Sequence, residues 1–134
     1  MAAMRVEEFF SKGFSYAVVG ATTDHEKYGY TVLKDLSRAG YSVTGVNPKH
    51  REIDDIHCVP TLKDVQPKPD VVVLVVPPPV GLGLLSEVKA LDIEKVWFQP
   101  GAESQEIRVK AAELGLTAMA DGSCIMVARR RLGL

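Results

Sequence analysis

Continuous apolar runs alternate along the chain with segments of helical spacing. Tyr16-Ala17-Val18-Val19-Gly20 is a compact run of buried-strand type. In the following segment 30–39, Val32, Leu33, Leu36 and Ala39 recur at helical spacing before Gly40, placed as a C-cap glycine. The pattern then repeats. Residues 41–46 read as a second strand, a turn-rich stretch passes through Asp54-Asp55, and a short strand over 56–59 precedes a helical turn beginning at Thr61. Asp70-Val71-Val72-Val73-Leu74-Val75-Val76 is apolar without alternation, which implies burial on both faces. A helix over 80–91, a strand over 95–99, a helix over 104–114 ended by Gly115, and a strand over 117–120 follow. Residues 125–128 add a short edge strand or helix, and Phe9-Phe10 belong to a short N-terminal helix stopped by Gly13.

Strands alternating with helices predict an α/β fold: a Rossmann-like, doubly wound, mainly parallel sheet of about five to six strands with helices on both faces. In such a sheet the ligand crevice lies at the carboxyl ends of the strands.

The 134 residues, 46% of them hydrophobic, suit one domain spanning 1–134. Sixteen basic and 17 acidic side chains leave a formal charge of −1, so no general basic field exists for nucleic acid or an anionic membrane, and any anion site must be local. Residues 1–8 lack an apolar core of signal-peptide length, and no run approaches the roughly 18 apolar residues of a membrane span. A cytoplasmic location is the expectation. Cys58 and Cys124 lack the close spacing of a zinc or redox motif and read as free thiols; no metal site is expected.

The chemistry concentrates at the strand ends. The second strand runs into Asn47-Pro48-Lys49, where a dinucleotide-binding fold usually places an acid for the ribose hydroxyls of NAD. A lysine there attracts phosphate, which points to a phosphorylated ribose and hence to coenzyme A or NADP; the alternative is a proline-terminated strand with a solvated lysine. After the first strand, Gly20 and Ala21 open a loop through Thr22, Thr23, Lys27, Tyr28 and Gly29 into a helix. Free amides at a helix N-terminus bind phosphate, and glycine allows close backbone approach. The loop departs from G-x-G-x-x-G by its length and its missing second glycine. The threonines and Lys27 read equally as donors to a phosphate or as a cap and a solvated charge.

Val76-Pro77-Pro78-Pro79 ends a buried strand with a rigid ledge poor in donors, suited to the flat face of adenine, although one proline alone would be ordinary helix punctuation. Gln99-Pro100-Gly101 repeats the arrangement at the next strand end. Trp97 reads as core, and His25, His50 and His57 as residues of polar turns. No Ser/His/Asp, Cys/His or paired-carboxylate set can be assembled from these spacings.

In order along the chain, Val18-Val19-Gly20-Ala21-Thr22, Tyr28-Gly29, Gly45-Val46-Asn47-Pro48-Lys49, Val76-Pro77-Pro78, Val96-Trp97-Phe98-Gln99-Pro100-Gly101 and Cys124-Ile125-Met126-Val127 resemble the small CoA-binding-domain proteins. These are relatives of the N-terminal domain of the succinyl-CoA synthetase α subunit. The resemblance covers about 9–132. It implies that Gly20, Ala21 and the threonines approach the phosphates, Asn47-Pro48-Lys49 the phosphorylated ribose, Val76-Pro77-Pro78 the adenine, and 99–101 the diphosphate or pantetheine. Ala21-Thr22 stands where relatives commonly have alanine then serine, and the hydroxyl is kept. The expectation is a stand-alone protein that holds CoA or an acyl-CoA and is not catalytic alone. The rivals are an NADP-dependent oxidoreductase or nucleotide-sugar enzyme, and a regulatory interaction module gated by CoA.

Overall fold

A computed structural model describes residues 6–134, so residues 1–5 of the expected domain lie outside the described residues. A 3-10 turn at Val6–Phe9, where the sequence predicts a short helix, leads into β1 (Ser15–Val19), α1 (Tyr28–Arg38) and β2 (Ser42–Val46). Next come β3 (Glu52–Ile53), β4 (Ile56–Val59), a 3-10 turn at Leu62–Asp64 and β5 (Val71–Leu74). The chain continues through α2 (Pro78–Ala90), β6 (Lys95–Phe98), α3 (Gln105–Glu113), β7 (Thr117–Met119) and α4 (Ile125–Arg131). The sheet order is β3-β4-β2-β1-β5-β6-β7, with every neighbouring pair parallel except β3 with β4. This is the Rossmann-like α/β sheet that the alternation of elements predicts, with seven strands in place of five or six.

The additional strand is β3. Two residues are too few to show a period, and the hairpin depends on Asp54 and Asp55, both in the left-handed region at φ 46° and 69°. The 125–128 segment is helical, not an edge strand. Ile125 and Met126 are buried against the α1 face of the sheet, and the Ile125 amide donates to the buried Gln99 side chain at 2.7 Å, which draws the chain away from β7.

Successive residues of the central strands face opposite layers. Ala17, Val19, Val72, Leu74, Val96 and Phe98 pack with Leu85 and Val88 of α2 and Ile107 and Ala111 of α3. Tyr16, Val18, Val71, Val73 and Trp97 pack with Val32, Leu33 and Leu36 of α1, Ile125 of α4 and Phe9. Trp97 is core, edge-on to Phe9 at 5.1 Å, with its indole nitrogen donating to the Ser123 carbonyl at 3.1 Å. Asp35 of α1 receives paired hydrogen bonds from Arg129 of α4, both 3.0 Å, so a largely covered ion pair ties the two helices of this face.

The two glycines that bracket the loop after β1 are required by packing. Gly20 has φ +95°, and a Cβ there would stand 2.2 Å from the Val75 carbonyl oxygen. A Cβ on Gly29, in the first turn of α1, would stand 2.0 Å from the Gly20 carbonyl oxygen. Gly29→Ala is expected to destabilise the protein by roughly 1–3 kcal/mol or more through overpacking. Gly83→Ala, in α2 where a Cβ meets nothing within 4 Å, is expected to stabilise it by about 0.5–1 kcal/mol. Urea unfolding of both variants beside the wild type checks the pair.

Candidate functional site

Because six strands run parallel, Gly20, Asn47, Pro60, Val75 and Gln99 all emerge at one end of the sheet. Asn47 organises that end. Its backbone amide donates to Val59 at 2.9 Å, its side-chain Nδ2 donates to the Ala21 carbonyl at 2.8 Å, and its Oδ1 accepts from the Lys49 amide at 2.9 Å. One side chain thus joins the loop after β1 to the turn carrying Lys49. The Gly20 amide adds a bond to the Val46 carbonyl at 3.2 Å.

Beside this junction lies a groove of 480 Å³. It is lined by Gly20, Asn47, Pro48 and Lys49 at the strand ends, by Pro60, Thr61 and Leu62 after β4, by Val76 after β5, and by Val80, Leu84 and Glu87 of α2. Lys49 is exposed, and its ammonium makes no hydrogen bond or ion pair among the described residues. A 110 Å³ cavity opens elsewhere along the strand ends, lined by Tyr28, Val75, Gln99, Pro100 and Cys124.

The start of α1 lies at the same end of the sheet. Its N-cap, Lys27, supplies no side-chain hydrogen bond and the first turn holds no acid, so neither a cap nor a carboxylate answers the first amides and the positive end of the helix. Thr22 is half-buried and its hydroxyl accepts from the Asp24 amide at 3.2 Å, whereas Thr23 and Lys27 are exposed. Tyr28 is exposed and reaches the small cavity, Ala21 is buried, and Gly29 is buried beneath the loop.

The structure therefore brings Gly20, Asn47, Pro48, Lys49 and Val76 to one groove, and Tyr28, Gln99 and Pro100 to the separate cavity. Pro77 and Pro78 do not line the groove. Pro77 caps α2 and Pro78 begins it, while the apolar walls come from Pro60, Leu62, Val80 and Leu84, which sequence reasoning missed. The helical spacing of Val80 and Leu84 marks one face of α2; nothing in the sequence says that this face meets the turn after β4. Gln99 is 2% exposed, with its Oε1 committed to the Ile125 amide and its Nε2 donating to Cys124 Sγ at 3.4 Å. Gly101, at φ +91°, turns the chain and its amide donates to Glu103.

The outer part of the loop after β1 is anchored separately. His25 stacks on Tyr30 at 4.0 Å, and the Tyr30 hydroxyl donates to Asp54 in the β3–β4 turn, where Lys34 also approaches at 3.5 Å. The Tyr30 hydroxyl, aided by Lys34, holds the Asp54 carboxyl below its usual range. Both cysteines are free, and burial pushes the Cys58 thiol up, so it stays protonated at neutral pH.

A mostly parallel sheet with helices on both faces, and a glycine turn leading from the first strand into a helix, place the chain in the Rossmann-like α/β class. The chain belongs to a family within that class: the model of the CoA binding domain matches residues 15–130. It is 33% identical over 78 residues to the ADP-forming acetate–CoA ligase I of Archaeoglobus fulgidus, covering 58% of this chain and 11% of the ligase. It is 28% identical over 123 residues to the uncharacterized protein YneT of Bacillus subtilis, covering 92% of this chain and 90% of that one. The match spans only 11% of the A. fulgidus ligase and 10% of the ADP-forming acetate–CoA ligase of Methanocaldococcus jannaschii. Among solved structures, a conserved hypothetical protein of Pyrococcus furiosus superposes with a TM-score of 0.80 at 42% identity, covering 85% of this chain and 97% of that one. A hypothetical protein of Pyrococcus horikoshii superposes with a TM-score of 0.88 at 32% identity, covering 96% and 90%. Among the described residues no helix is long and apolar enough to cross a membrane.

Two outcomes follow from the geometry. Gln99→Leu strands the Ile125 amide without its acceptor, an expected loss of about 1–3 kcal/mol, and hydrogen exchange at Ile125 should accelerate more than in the core of β5. The lowered Asp54 carboxyl makes its contact with Tyr30 a contribution present above the ordinary carboxylate range and lost as pH falls through the lowered value. Tyr30→Phe should return the Asp54 titration toward its ordinary value, as followed by NMR.

Proposed function

We propose that this protein is a CoA carrier or sensor that holds CoA or an acyl-CoA across the carboxyl ends of its strands and is not catalytic alone. The observation that carries the reading is Lys49: its backbone is held by the Asn47 turn beside an apolar groove, the glycine turn and the uncapped start of α1, and its ammonium has no partner among the described residues. The ribose 3′-phosphate meets Lys49, the diphosphate meets the amides of α1 and its loop, and the adenosine enters the groove. Tyr28, Gln99, Pro100 and Gly101 lie on the route of the pantetheine. Thr22, Thr23 and Lys27 flank the diphosphate as secondary donors. The family match and the full-length likeness to the B. subtilis protein support a CoA-binding unit of this size. The ligase activity named for the archaeal relatives belongs to proteins of which this chain spans about a tenth. A cytoplasmic location fits a CoA ligand.

Titration calorimetry with CoA, dephospho-CoA, NADP and NAD tests the reading. CoA should bind more tightly than dephospho-CoA and far more tightly than NADP or NAD. Lys49→Ala should weaken CoA by about 1.5 kcal/mol, the lower end of the range for a hydrogen bond to a charged group because the lysine is exposed, and should leave dephospho-CoA nearly unchanged. Equal loss for both ligands would assign Lys49 to the shape of the turn; preference for NADP would replace CoA as the ligand.

A further inference from the structure

Among the thirteen residues lining the groove, four carry polar or charged side chains: Asn47, Lys49, Thr61 and Glu87. Asn47 is engaged through both ends of its carboxamide. Thr61 is engaged as donor and acceptor with Asp64, in the capping box of the 3-10 turn. Lys49 and Glu87 alone make no side-chain hydrogen bond or ion pair among the described residues, with each other or with any neighbour. Two opposite charges therefore face one apolar groove without neutralising each other. Lys49 is accounted for by a phosphate. Glu87, half-buried, is not.

Glu87 follows Val80 and Leu84 at the spacing that places all three on one face of α2. Seven residues of helix advance about 10 Å, roughly the reach of a nucleoside, from the strand ends where Val80 sits to the carboxylate. Between them the walls are apolar: Pro60 and Leu62 opposite Val76, Val80 and Leu84. A flat ring held there brings its outer edge to Glu87. An ionised carboxylate only accepts hydrogen bonds, so the group that meets it must donate, and adenine has one such group on that edge, its exocyclic amine. We propose that Glu87 reads the base of the bound nucleotide by accepting a hydrogen bond from the 6-amino group of adenine. The inference rests on the CoA reading and adds the residue that selects the base.

The sign of the effect separates this role from a bystander's. CoA is polyanionic, so an acid that merely borders the groove repels it, and removing that acid would tighten binding. If Glu87 holds the amine, removing it weakens binding. Calorimetry on the full chain with CoA and with 1,N6-etheno-CoA, whose amine is blocked, gives the test. Glu87→Ala is expected to weaken CoA about tenfold or more, as for loss of a hydrogen bond to a charged group, with a smaller loss for the isosteric Glu87→Gln. Etheno-CoA should bind the wild type about tenfold more weakly than CoA and should lose nothing further in either variant, the non-additivity that marks one shared interaction. Unchanged or tighter CoA binding in both variants overturns the role of Glu87 while leaving CoA as the ligand. A wild-type protein that binds no CoA removes the proposed function itself, and this inference with it.

Discussion

The carboxamide of Asn47 spans the gap between the loop after β1 and the turn after β2, and the rest of the site depends on that span. Its Nδ2 holds the Ala21 carbonyl and its Oδ1 holds the Lys49 amide, so the loop after β1 and the lysine turn cannot move apart without breaking a bond at one end of a single planar group. The backbone amide of the same residue prolongs the pairing between β2 and β4. A residue that reads from the sequence as part of a ligand contact is thereby the brace of this end of the sheet, and the ammonium beside it has no partner among the described residues. Bracing of this kind lets an exposed lysine act at a defined place, since its backbone is fixed even where its side chain is not.

Close approach of backbone sets the floor of the site. The β5 end, the loop and the first turn of α1 stack through Gly20 and Gly29, at distances that exclude any side chain at either position. The start of α1 is consequently pressed toward the strand ends, with no side-chain cap and no acid in its first turn. In a chain of net charge −1, such a local arrangement of amides and one lysine supplies the positive potential that composition as a whole does not.

The groove is lined by one cation, Lys49, and one anion, Glu87, together with proline, valine and leucine side chains. Prolines contribute through Pro48 and Pro60, which lie on turns, and not through Pro77 and Pro78, whose work is to start α2.

The sequence by itself determined what local chemistry carries. The continuous apolar runs gave the central strands, the helical spacing before Gly40 gave α1, and Ser104 marked the start of α3, where its side chain accepts from the Ile107 amide at 3.2 Å. The lysine after the second strand and the glycine after the first were visible because parallel topology sends both to the same end. Only the tertiary structure decided which face of α2 meets the turn after β4, and so that Leu62, Leu84 and Glu87 share a groove with Lys49. It also decided that Gln99 spends its side chain on α4, that residues 125–128 are helix, and that two residues suffice for β3. Each of these is a contact between segments distant in sequence. A residue's periodicity records that one side is buried, but not which partner buries it, and the partner converts a buried polar group into a brace or leaves an unpaired one for a ligand.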